Sequence, residues 1–200
     1  GGTIVYTASV NNLVTGSAVT VTLSGGQTIT IPVGQSTGTV SVAAPTEDVY
    51  IDAGTVSKTI TNVTGGNYEA VTINPAAAST TVTDTLNTTT VSISGSASVT
   101  EGANGSYTIS LTAPTQTAMT VNISYSGTAA NGSDYTGIAS VVIPAGSSSA
   151  SFNIATLDDA NAEAPENITL TISGTSGGNF EQVAISSTNG TVTTQLVDND

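Results

Sequence analysis

The chain is written in short runs in which every second residue is apolar. Ala18–Leu23 reads A-V-T-V-T-L, Thr28–Pro32 T-I-T-I-P, Ser106–Leu111 S-Y-T-I-S-L and Met119–Tyr125 M-T-V-N-I-S-Y. A period of two places alternate side chains on opposite faces of an extended strand, so each run has one face to bury and one for water. Gly, Asn and Pro turns separate the runs, which favours an all-β sandwich over any helical fold. Further strands are expected at Ile4–Val10, Thr39–Val42, Val49–Ile51, Val56–Val63, Ala70–Ile73 and Thr80–Thr83. The later half adds Thr90–Ile93, Ala139–Ile143, Ala150–Ile154, Asn167–Ser173, Gln182–Ile185 and Thr191–Val197.

The pattern occurs twice. Ile31-Pro32-Val33-Gly34 aligns with Ile143-Pro144-Ala145-Gly146, and G-G-N-Y-E-A-V-T-I (65–73) with G-G-N-F-E-Q-V-A-I (177–185), both at an offset of 112. Tyr6 aligns with Tyr107 at an offset of 101. The second copy therefore carries about eleven extra residues, expected around Ser126–Tyr135, where Asp134 lies. At the earlier offset, the first copy has no counterpart of Thr90–Gly102. It is expected to begin at its second strand, the first being cut away or supplied from elsewhere. The 200 residues suffice for two sandwiches of about 100 residues each. The domains are set at 1–87 and 88–200, joined by a short polar boundary near Asp84–Thr90.

Charge narrows the chemistry. Fourteen acids face one base, Lys58, with no His, Cys or Trp, for a net charge of −13. Ser-His-Asp and Cys-His catalysis cannot be built from such a chain. Nothing is present to neutralise nucleic-acid phosphates. No apolar run approaches a membrane span of about 18–20 residues, and no signal peptide is visible. Paired carboxylates such as Asp134 and Glu166 could serve a glycosidase, but without Trp or Arg to shape a sugar cleft the chain is read as a non-enzyme. Five of the fourteen acids fall in Ser133–Glu166: Asp134, Asp158, Asp159, Glu163 and Glu166. They sit at the ends of apolar runs, where the loops of a sandwich gather. Calcium takes oxygen ligands from such loops; solvated loop acids are the plainer alternative.

S-V-T-E-G (98–102), S-D-Y-T-G (133–137), V-V-I-P-A-G-S-S-S-A-S-F-N-I (141–154), L-D-D-A-N-A-E-A-P-E-N-I-T-L-T-I (157–172) and L-V-D-N-D (196–200) resemble the Calx-β motif. The first half, through residues 4–34 and 65–85, is similar to the extender repeats of large biofilm adhesins exported by type I secretion, the RTX adhesin group. The two resemblances cover nearly the whole chain. They imply two tandem Ig-like antiparallel β-sandwiches, bound Ca2+, and an extracellular place on the bacterial cell surface. The implied role is a monomeric extender that contacts neighbouring repeats of its own chain and projects a distal adhesive domain. The resemblance places Glu101, Asp134, Asp158, Asp159, Glu163 and Glu166 at metal-ligating positions. The first half departs from the motif, with Glu47, Asp48 and Asp52 where the acidic loop should be.

Asp84, Asp198 and Asp200 end their repeats and are candidates for interdomain metal ligands, Asp198 and Asp200 with the help of a following domain. Glu69 and Glu181 hold one place in the repeated G-G-N turn, as metal ligands or as acceptors of loop amides. An alternative function is a calcium-dependent module that binds a glycan or a surface. In the extender reading such a ligand lies elsewhere in the full protein.

Overall fold

A computed structural model of the chain describes residues 2–51 and 54–200; Asp52 lies outside them. The described residues contain strands and turns and no helix. The chain divides into two compact units. Unit 1 comprises Gly1–Glu47 and Asp52–Thr85, and unit 2 comprises Asp48–Ile51 and Leu86–Asp200.

Unit 1 contains β1 (Thr3–Ser9), β2 (Val19–Leu23), β3 (Thr28–Ile31), β4 (Thr37–Ala43), β5 (Gly54–Lys58), β6 (Ile60–Thr64) and β7 (Ala78–Val82). They pair as β1-β4, β3-β2-β6 and β5-β7, all antiparallel. The alternation seen in sequence becomes the burial pattern: Ile4, Tyr6 and Ala8 of β1 face inward with Val19, Val21 and Leu23 of β2 and Ile29 and Ile31 of β3. β2 ends in a tight turn at Ser24–Gln27. There the single base finds its partner, with the Lys58 ammonium donating to the Ser24 carbonyl at 2.9 Å.

Unit 2 contains β8 (Thr88–Gly95), β9 (Ser98–Thr100), β10 (Asn104–Leu111), β11 (Met119–Gly127), β12 (Tyr135–Thr136), β13 (Ser140–Ile143), β14 (Ser149–Thr156), β15 (Glu166–Gly177), β16 (Gln182–Ile185) and β17 (Thr191–Val197). Two five-stranded sheets form, in the orders β12-β14-β10-β8-β16 and β13-β11-β15-β17-β9. Their facing sides share one core, including Ile93, Tyr107, Ile109 and Ile154 from the first and Met119, Ile143, Ile168, Leu170 and Leu196 from the second. Burial of these alternating residues is the main force that holds the sheets together. The fold is thus an all-β Ig-like sandwich. Its strands pair antiparallel except that β16 joins β8 and β9 joins β17 in parallel, and an isolated parallel bridge links Asn131 and Tyr135. Residues 48–51 also belong to this unit, where the Tyr50 ring stacks on Phe180 at 5.4 Å.

The two copies share unusual backbone. Gly65, Gly66 and Asn67 have φ of 85°, 86° and 52°, and Gly177, Gly178 and Asn179 have 84°, 86° and 61°. A Cβ on Gly65 would lie 2.2 Å from the Ala18 carbonyl oxygen, and one on Gly177 2.4 Å from that of Ala118, so glycine is required at both. The same bulge interrupts β2 at Thr22/Leu23 and β11 at Asn122/Ile123. The copies part directly after it. β2 turns back, whereas β11 runs on to Gly127 along β15 and a loop then carries the chain through β12 to β13. The extra residues of the second copy lie there.

Candidate metal centre

The loop after β11 is held by its own polar groups. Asp134 Oδ2 accepts from the Ala130 amide at 2.5 Å, and the Asp134 carbonyl accepts from the Leu157 amide at 2.9 Å. Tyr135 is buried beside Tyr125, ring centroids 5.5 Å apart, which fixes the loop onto the sandwich. Asp134 is therefore presented at one end of unit 2, next to the connection that leaves β14 for β15.

Glu101 reaches the same end by another route. β9 lies parallel along β17, and the Glu101 amide donates to the Val197 carbonyl at 3.0 Å, which sets Glu101 beside the acids that follow β17. The turn at Gly102 is tied to the end of β14 by Thr156, whose hydroxyl donates to the Ala103 carbonyl at 2.7 Å. Gly102 has φ of 75°, and a Cβ there would come 3.3 Å from Cβ of Asp158. In the 157–165 connection, Asp159 Oδ1 accepts from the Asn161 amide at 2.7 Å, and Asp198 Oδ2 accepts from the Glu163 amide at 2.6 Å. Glu166 opens β15.

These contacts bring two sets of carboxylates together around Glu163. Carboxylate oxygens of Asp134, Glu163 and Glu166 all lie within 4.8 Å of one another. Partial burial and then Asp134 and Glu163 push the Glu166 carboxyl above its usual range. Glu101 is also pushed up, first by desolvation and then by Asp198, Glu163, Asp159 and Asp158. Asp198 is held below its usual range by the amides of Asp200 and Glu163, against the opposing effect of desolvation, with the Asn199 amide adding to the lowering. The only Lys or Arg of the sequence, Lys58, belongs to unit 1, so no basic side chain of unit 2 can offset the repulsion.

The donor set is oxygen only, from carboxylates beside loop carbonyls. That suits a hard cation of the calcium type and not a metal that prefers imidazole or thiolate. Asp134, Glu163 and Glu166 are close enough together to share such an ion, and Glu101, Asp158, Asp159 and Asp198 lie in the electrostatic neighbourhood of Glu163. Asp198 is thus a neighbour of Glu101 within unit 2 itself. Nothing in the sequence announces this, because the parallel β9–β17 pairing joins segments almost a hundred residues apart.

The remaining candidates lie elsewhere or act otherwise. Asp200 is exposed and donates its amide to Asp198 Oδ1 at 3.0 Å. Glu181 accepts from the Asn87 amide, which fits the loop-amide reading. Asp48 Oδ1 accepts from the Tyr50 amide at 2.8 Å. Glu47 and Glu69 are exposed and Asp84 half-buried, all three in unit 1.

The family model described as the LapA domain matches residues 1–85 and again 87–199. The chain belongs to the LapA domain family. This is a biofilm-adhesin family, and the chain is an adhesin-like segment, both halves of which match the family, of a cell-surface type of protein. No curated protein matches it. Solved structures similar to it include the apo form of the Calx CBD1 domain, at 22% identity and TM-score 0.48, over 56% of this chain and 98% of that one. CBD12 from CALX1.2 is similar at 21% identity and TM-score 0.48, over 56% of this chain and 46% of that one. The calcium binding domain CBD12 of CALX1.1 is similar at 23% identity and TM-score 0.45, over 53% and 42%. No helix among the described residues is long and apolar enough to cross a membrane.

Proposed function

We propose that this LapA-family chain is a calcium-stiffened extender segment of a secreted bacterial adhesin, which projects a distal adhesive domain from the cell surface. The observation that carries the reading is the convergence of seven acids at one end of unit 2, in a unit without a base. Bound Ca2+ offsets the repulsion among Glu101, Glu163, Glu166 and their neighbours. It thereby fixes three separate segments: the β9–β10 turn, the 128–134 loop and the 157–165 connection. The protein is monomeric and its partners are further repeats of its own polypeptide. Affinity is expected in the range of extracellular calcium modules, about 10⁻⁴–10⁻³ M.

Thermal unfolding with Ca2+ and with EDTA tests this. Calcium at a hundred times Kd stabilises the native state by about 2.7 kcal/mol, so Tm rises by several degrees. Mg2+, which demands a tighter octahedron, gives a smaller rise. Glu163→Gln, at the junction of both carboxylate sets, abolishes most of the calcium response. A Tm indifferent to EDTA would sink the proposal.

A further inference from the structure

Asn-Gly is the dipeptide most prone to lose its side-chain amide, because glycine has no side chain to keep its own nitrogen from attacking the asparagine Cγ. Unit 2 contains it three times, at Asn104-Gly105, Asn131-Gly132 and Asn189-Gly190, and unit 1 not at all. The sequence alone does not rank the three. The hydrogen bonds of the glycine nitrogens do, since a nitrogen that donates to a carbonyl keeps its proton and is held away from the attack.

Two of the three nitrogens are engaged. The Leu111 amide donates to the Ser148 carbonyl at 2.8 Å and the Thr156 amide to the Ala103 carbonyl at 3.0 Å, so odd-numbered residues of β10 bond to β14. Gly105 is therefore held in that ladder opposite Ile154. The Gly132 amide donates to the Tyr135 carbonyl at 2.8 Å. The Gly190 amide has no acceptor among the described residues, although its carbonyl accepts from the Ile172 amide at 2.9 Å. The carbonyl beside this nitrogen is polarised. The Thr188 hydroxyl donates to Asn189 Oδ1 at 2.8 Å. Ser186 Oγ accepts from the Asn189 amide at 3.0 Å and lies 3.3 Å from Thr188 Oγ1, where its own proton can go. This relay ends on the oxygen that gathers negative charge as Cγ is attacked. The fold does not let the glycine go: a Cβ at 190 would lie 2.6 Å from the Ser186 carbonyl oxygen and 2.7 Å from Ile185 Cγ2. Asn189 is exposed, so water reaches it.

We propose that Asn189 is a self-modification site of unit 2, converted with water as the only co-reactant to aspartyl and isoaspartyl forms. The Gly190 nitrogen bonds to Asn189 Cγ, the Cγ–Nδ2 bond breaks, and ammonia leaves with the proton that the Gly190 amide gives up. The succinimide ring so formed takes up one water and opens at either carbonyl, to aspartate or to isoaspartate. Nothing is oxidised or reduced. The modified turn is a tie between the two sheets. The Ser186 amide donates to the Val91 carbonyl at 2.8 Å and the Asn189 carbonyl accepts from the Ile93 amide at 2.7 Å, both on β8, while the Gly190 carbonyl is bonded to Ile172 on β15. Isoaspartate adds one carbon to the main chain between Asn189 and Gly190 and turns the Asn189 carbonyl into a carboxylate off the backbone. The bonds to β8 and to β15 then no longer share their original geometry. Either product also adds a negative charge to a unit without Lys or Arg. Conversion thus loosens the hold of the 186–190 turn on both sheets as the protein ages.

The full chain is incubated at neutral pH, folded and in parallel unfolded in urea, in water labelled with heavy oxygen. Peptide mass spectrometry then follows label uptake at the three Asn-Gly sites. In the folded chain Asn189 is expected to convert at least about tenfold faster than Asn104 and Asn131, whereas in urea the three rates fall within about threefold of one another. Thr188→Val removes the donor to Oδ1 and slows Asn189 several-fold while the unfolding temperature is kept. Converted chain, separated by its added charge, exchanges the Ile93 and Ile172 amides about tenfold faster or more. Asn189→Gln blocks conversion and keeps both amides slow over the same interval. The proposal is overturned if folded Asn189 converts no faster than the other two, or if its lead is the same in urea. It is overturned equally if Thr188→Val leaves its rate untouched, or if the converted chain exchanges Ile93 and Ile172 as slowly as the unconverted one.

Discussion

Units 1 and 2 are two executions of one plan, and they differ at two places. Unit 2 has β8 in its first sheet, and its β11 is prolonged into the loop that delivers Asp134. Unit 1 has a tight turn in place of the prolonged strand, and among its described residues β1 pairs with β4 alone. The first difference concerns metal chemistry and the second concerns packing. Shared features such as the G-G-N turn and the bulge after Thr22 and Asn122 persist through both. The plan therefore tolerates the loss of the prolonged loop, provided the turns that set the register remain.

The packing half of this comparison is broken most sharply by Ile109→Ala. Ile109 is fully buried against the sheet opposite, and its counterpart in unit 1 is already Ala8. The substitution is expected to cost about 2–5 kcal/mol of unit 2 stability, measured by urea unfolding followed through hydrogen exchange in β10 and β14. A cost below 1 kcal/mol, of the kind found for a site that collapses freely, would mean that β8 contributes little to the tighter core of unit 2.

The tyrosine pair gives a smaller and more selective effect. Tyr107→Phe removes the bond to Thr194 and is expected to cost about 1 kcal/mol, whereas Tyr6→Phe removes a buried hydroxyl that has no partner among the described residues and is neutral or slightly stabilising. Equal losses from both would show that Tyr6 has a partner in solution.

The smallest effect concerns pH and sharpens the metal half. In the folded protein Glu101 and Glu166 have raised carboxyl pKa values, so the folded state binds their protons more tightly than the unfolded state does. Their contribution is complete below the ordinary value of 4.5 and is lost as pH rises through the raised folded values. Asp198 runs the other way: its contribution is present above 3.8 and is lost as pH falls through its lowered folded value. Calcium-free protein is therefore expected to lose stability in unit 2 as pH rises from about 4.5 towards neutrality, and saturating Ca2+ is expected to remove that loss. Unfolding curves of the EDTA-treated chain between pH 4 and 8, read in unit 2, check the sign. A calcium-free unit 2 that gains stability over that interval would contradict it.

Much of this protein was legible in the residues because it is set locally. Alternation specifies which face of each strand is buried, Gly-Gly-Asn specifies a left-handed turn, and a repeated motif specifies that the fold occurs twice. The acids of 157–166 were also legible as a cluster, since they are close in sequence. Glu101 was placed with them by the resemblance, but the meeting with Asp198 was not legible, because it depends on β9 pairing in parallel with β17 across most of unit 2. Nor could strand periodicity distinguish 182–185 from 70–73. Both read as strands, and only the first has β8 beside it to satisfy its backbone. The sequence by itself determined the elements, their faces and the store of negative charge. The tertiary structure decided which backbone edges are filled and which carboxylates share one end of unit 2, because hydrogen-bond pairing and charge repulsion depend on which segments become neighbours in space.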